Sequence, residues 1–140
     1  MADTGFNWDA AWSAVTKSGG GDWTTLAVAD NGNAGSTAIS LDGKAAVEIS
    51  WSLVEDNTGA IDGVVTIYIL GDCDGTNYEE MTPGNPFRFT VTPVQNDTVW
   101  GRCRLLGSDF SSFKVWMLNE GGQELSTTFK YRYATIPAAS

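Results

Sequence analysis

Between Ala46 and Leu53 the chain alternates without a break. Val47, Ile49, Trp51 and Leu53 are apolar, while Glu48, Ser50 and Ser52 between them are polar. A two-residue period is the signature of a β-strand with one face in a core and the other toward water. On that reading Trp51 is a core residue and Glu48 belongs to the wet face. Phe87 to Thr92 and Thr128 to Tyr133 repeat the pattern. Val64 to Leu70 is apolar at nearly every position, which predicts a central strand covered on both faces. Val99 to Leu105 and Phe113 to Leu118 read as further strands, and Thr24 to Ala29 and Thr37 to Leu41 as shorter, edge-like ones. Turn-forming clusters such as Asp30-Asn31-Gly32-Asn33, Asp56-Asn57-Thr58-Gly59, Asp74-Gly75 and Glu120-Gly121-Gly122 separate them. About eight strands at such spacing predict an all-β, antiparallel two-sheet sandwich of the jelly-roll or immunoglobulin-like kind. The immunoglobulin pattern of two cysteines around a mid-strand tryptophan is not met, because Trp100 lies just upstream of Cys103.

The chain before the sandwich has a different character. Gly19-Gly20-Gly21 reads as a flexible joint, so residues 1–21 are expected to form an N-terminal arm and joint, and residues 22–140 the β-sandwich domain. Within the arm, Trp8, Trp12 and Val15 fall at helical spacing behind the cap residue Asn7, and a short helix and an extended arm both satisfy the sequence. Four apolar groups, Phe6, Trp8, Trp12 and Val15, need somewhere to bury. They dock either back onto the chain's own sandwich or onto a neighbouring subunit, and the neighbouring subunit is the expected surface.

Chemistry is bounded by what is missing. The 140 residues contain no histidine, which removes Ser–His–Asp and Cys–His nucleophilic sites and the commonest general base. There is no glycine-rich phosphate loop, and two cysteines thirty residues apart do not make a zinc site. The expectation is therefore a protein with no catalytic residues, no metal and no cofactor. Asp72, Asp74, Glu79 and Glu80 gather around Gly75. They read as a polar hairpin tip, with a weak cation site as the alternative. The net charge of −9 opposes binding of nucleic acid, which requires a clustered cationic footprint. No apolar run reaches the roughly 20 residues of a membrane helix, and Met1 to Gly5 lacks the features of a signal peptide. Cytoplasmic synthesis then favours reduced Cys73 and Cys103.

The tryptophans are the residues left for function. Trp100 alternates onto the face of Arg102 and Arg104, and Trp116 onto that of Lys114. Rings on a charged face mark contact surfaces, although cover by the second sheet or by the arm would serve equally well. Phe6, Trp8, Trp12 and Trp23, in or beside the arm, join Trp100 and Trp116 as candidates for contact with a capsid or a neighbouring subunit.

Ile67-Tyr68-Ile69-Leu70-Gly71-Asp72-Cys73-Asp74-Gly75-Thr76-Asn77-Tyr78-Glu79, together with Phe113 to Asn119 and Phe129 to Tyr133, resembles segments of small β-rich virion proteins of tailed bacteriophages. The resemblance covers roughly residues 45–136 and is one of style, with no catalytic residue to carry over. It implies a capsid decoration or cement protein at the virion surface. Its partner would be the major capsid protein, and it would itself be a homo-oligomer, a trimer being one arrangement. The alternative is a carbohydrate-binding or adhesion module of a phage tail or fibre that stacks exposed tryptophan on sugar rings.

Overall fold

A computed structural model describes residues 5–55 and 59–136, so the turn expected at Asp56 to Thr58 and the tail beyond Ile136 lie outside the described residues. The described chain is all β, with no helix among these residues, and its strands form two antiparallel sheets packed as a sandwich. Among the described residues there are eleven strands: β1 (Asn7–Trp8), β2 (Ser13–Ala14), β3 (Leu26–Val28), β4 (Asn33–Gly35), β5 (Ile39–Ser40), β6 (Ala46–Val54), β7 (Val64–Gly71), β8 (Arg88–Val91), β9 (Thr98–Leu106), β10 (Ser112–Glu120) and β11 (Leu125–Thr135). The first sheet runs β1-β11-β6-β9, with β2 and β3 also pairing on β11. The second runs β4-β10-β7-β8, with β5 also on β10. The three strands beyond the expected eight, β1, β2 and β4, are two or three residues long, too short to show a period.

The alternation in β6 translates directly into burial. Val47, Ile49, Trp51 and Leu53 are all core. They meet Val65, Ile67 and Ile69 of β7, Phe113, Val115 and Met117 of β10, and Phe129 of β11 in one hydrophobic cluster between the sheets. The Trp51 indole lies 6.1 Å from both Phe89 and Phe129. It fills the space where a side chain on its register partner Gly101 would sit. Strand β7 is interior to its sheet, between β10 and β8, and buries Tyr68 and Leu70 on its second face as well.

Of the two forms that the sequence allows for the arm, the structure takes the extended one. Phe6 to Val15 is extended, not helical, and β1 and β2 add to β11 of the same chain. Gly19, Gly20 and Gly21 all take positive φ, near +90°, a conformation open to glycine and strained for other residues. They close a tight turn, with Lys17 N–H donating to the Gly21 carbonyl and Gly20 N–H to that of Lys17, both at 2.9 Å. What reads as a joint thus reverses the chain and sets Trp23 beside Val15, whose carbonyl accepts its N–H at 2.7 Å. Both side chains are fully buried. The neighbour expected to receive the arm gives way to the chain's own sheet: β11 has eleven residues and β6 pairs with only one of its edges, so the other edge receives the arm.

Candidate functional site

The outward face of the first sheet is built in rows. Register places Thr128, Ser52 and Trp100 side by side across β11, β6 and β9. One step along the strands comes Lys130, Ser50 and Arg102, and one step further Arg132, Glu48 and Arg104. Strand spacing of about 4.8 Å and a two-residue rise of about 7 Å set the grid.

The third row is closed on itself. Glu48, expected in water, is fully buried, because its carboxylate is capped from both sides. Arg104 Nε donates to Oε2, and Arg132 meets Oε1 through Nη2 at 2.9 Å and Nε at 3.1 Å. The arm completes the cover: the Arg104 guanidinium lies 4.8 Å from the Trp8 ring, and that of Arg132 lies 5.3 Å from Trp8 and 4.6 Å from Trp12. Burial alone pushes the Glu48 carboxyl up. The hydrogen bonds and charges of Arg104 and Arg132 outweigh it and hold the group below the ordinary glutamate value. Alternation identifies the face of Glu48 but cannot foresee a lid drawn from forty residues upstream.

In the first two rows Trp100, Arg102 and Lys130 are exposed, with Thr128 and Ser50 half-buried and Ser52 buried between them. Trp100 is 76% exposed, the highest value among the large exposed hydrophobics, and among the described residues no ring or cation stacks on it. Beside it lies a shallow groove of about 260 Å³ whose polar walls are Thr24, Ser50, Ser52, Thr128 and Lys130. Arg102 reaches Glu48 only at 3.9 Å, and among the described residues Lys130 has no ion-pair partner.

The six sequence candidates therefore scatter. Trp100 is an exposed surface ring, while Trp8 and Trp12 are half-buried lids over arginines. Phe6 packs edge-on against Trp8 at 6.3 Å and is 39% exposed. Trp116 lies on the other sheet, half-buried over Gly35, with its Nε1 donating to Asn33 Oδ1 at 3.1 Å. Trp23 is fully buried and offers no surface to any partner: its ring lies tilted against Phe129 at 4.4 Å, and its Nε1 donates to Thr127 Oγ1 at 2.8 Å. The triple-glycine turn directs it inward, a reversal that single-residue periodicity does not reveal.

At the acidic tip the carboxylates serve as turn acceptors. Asp72 Oδ1 accepts from the Asp74 and Gly75 amides, and Asp74 accepts from the Thr76 and Asn77 amides at 2.9 and 2.7 Å and from the Asn77 side chain. These bonds hold the Asp74 carboxyl below its ordinary value. Among the described residues no group of three or more acidic or cysteine side chains is placed to hold a metal ion. Cys73 is exposed and Cys103 buried, and the two are not bonded.

No family model matches the chain, and no curated protein matches it. Among solved structures, one described as "CBM4 structure and function" is similar over 78% of this chain and 67% of its own, at 16% identity and a TM-score of 0.41.

Proposed function

We propose that this protein is a non-enzymatic virion structural protein of the decoration or cement class, attached to the major capsid protein through the open edge of β9. One observation carries the reading. Strand β9 is nine residues long and ends its sheet, and among the described residues nothing pairs with its outer side. It also carries Trp100 at 76% and Leu106 at 48% exposure. Soluble proteins shorten or cover such edges, because an unpaired ladder recruits another chain. Strand addition supplies main-chain hydrogen bonds for affinity and side-chain contacts for specificity. The absence of histidine from the sequence agrees with a role in binding. The test is co-sedimentation with purified capsids, followed by amide hydrogen exchange. Fixed stoichiometry with slowed exchange across Thr98 to Leu106 is the expected result; no association with capsids would end the proposal.

A second reading has its own observation. An exposed indole beside four hydroxyl side chains, Thr24, Ser50, Ser52 and Thr128, matches the apolar face and hydroxyl rim of a pyranose. It favours an adhesive role for the open face. The two readings are compatible, since a strand added at the β9 edge leaves that face free.

A further inference from the structure

The outward positions of β11, β6 and β9 hold four of the chain's eight cations, Arg102, Arg104, Lys130 and Arg132, and a single carboxylate, Glu48. In a protein of net charge −9 this is a local inversion of sign. The charges are also unequally used. Arg104 and Arg132 are consumed by Glu48 and roofed by Trp8 and Trp12. Lys130 and Arg102 flank Ser50 one row nearer to Trp100, on strands about 10 Å apart. Both are exposed, Lys130 has no ion-pair partner among the described residues, and Arg102 is held only at 3.9 Å.

From this arrangement we infer that the ligand of the open face is an acidic saccharide, with a pyranose ring stacked on Trp100 and its carboxylate or sulfate over Ser50 between Arg102 and Lys130. The inference rests on the adhesive reading of that face and names the class of sugar. The geometry fits: one row, about 7 Å, separates the ring platform from the cation pair, which is the reach from a stacked pyranose to an anionic substituent on it or on the next unit. The Ser50 hydroxyl lies between the two cations as a donor to the same anion. A guanidinium and an ammonium paired on one anion give charge-assisted bonds, roughly twice as strong as neutral ones. A single-stranded nucleic acid suits the site less well. Its phosphates require a cationic groove and successive stacking rings, and beside the single ring this face offers two exposed cations, Lys130 and the loosely held Arg102.

The experiment measures binding of the full chain to polygalacturonate, hyaluronan and dextran sulfate. Methyl-esterified polygalacturonan and plain dextran serve as neutral partners, and oligo(dT) as a polyphosphate. At least one anionic polymer is expected to bind, with affinity falling as salt rises. Trp100→Ala should weaken binding about tenfold or more, since an exposed central aromatic acts as a binding hot spot. Lys130→Gln and Arg102→Gln should each weaken it about tenfold, the loss of one charge-assisted bond, and should flatten the salt dependence. If the neutral polymers bind as tightly as their anionic counterparts, the inferred charge preference is wrong while the adhesive face stands. If no saccharide is retained, the adhesive reading falls and takes this inference with it. Tighter retention of oligo(dT) than of any saccharide also overturns it.

Discussion

Glu48 and Arg104 stand directly opposite one another on β6 and β9, and the pair converts a nominally wet position into a fully buried carboxylate. The arginine stays partly exposed while the acid does not, so removing the acid leaves Arg132, itself mostly covered, without its partner. Glu48→Ala is therefore expected to cost about 2 kcal/mol, in the range for losing charged hydrogen bonds at a buried site. Urea midpoints of the variant and the wild type check this. A change no larger than that of an ordinary surface substitution, about 0.5 kcal/mol, would mean that the cluster contributes nothing.

The same carboxylate sets a pH dependence. Its folded value lies below the ordinary glutamate value of 4.5, so the folded state binds fewer protons at this group than the unfolded chain does. The contribution is complete above the unfolded value and is lost as pH falls through the folded one. Wild type and Glu48→Gln should therefore converge in stability on acidification, as read from urea midpoints at a series of pH values. A gap that stays constant into strong acid contradicts the assignment.

Cys103 and Cys73 should differ sharply in reactivity. Burial, with the Glu48 carboxylate adding to it, pushes the Cys103 thiol up to about 12, and the thiolate is the nucleophile. Cys73 is exposed. Iodoacetamide at mildly alkaline pH is expected to label Cys73 alone in the folded protein and both residues in denaturant, as resolved by peptide mass. Equal labelling without denaturant would show that β9 opens readily.

Gly101 admits the Trp51 indole, and a methyl group there would meet the ring. Gly101→Ala is expected to cost about 2 kcal/mol by overpacking, and Trp51→Ala about 3–5 kcal/mol by opening a cavity. Thermal melts of the two variants and their double mutant test the contact: a double mutant equal to the sum of the singles would show that the ring does not occupy that space.

The arm should behave as core. Deleting residues 5–18 removes β1, β2 and the buried Val15, and with Val15 the backbone hydrogen bonds it makes to Phe129 and Trp23. The expected result is a large fall in melting temperature, and Val15→Asp should reproduce it by placing a charge among apolar neighbours. Circular dichroism and intrinsic tryptophan fluorescence report it. A truncated chain with unchanged melting would return the arm to the role of an independent tether.

Periodicity sufficed for the all-β class, the core face of β6 and the interior position of β7. Alternation follows from the geometry of the strand itself, which is local and fixes which side chains share a face. Turn clusters are equally local, and histidine content and net charge are read from composition alone. Whether a face is open or covered depends on segments distant in the chain. Glu48 and Trp100 lie two register rows apart on one sheet face, Glu48 between Val47 and Ile49 in sequence and Trp100 between Val99 and Gly101, yet one is sealed and the other 76% exposed. What separates them is the capping of Glu48 by Arg104 and Arg132 and the arm, whose strands β1 and β2 on β11 lay Trp8 and Trp12 over those arginines. The pairing of Lys130 with Arg102 across Ser50 likewise exists only once β11 and β9 flank β6, because residues twenty-eight apart in sequence are made neighbours by register alone.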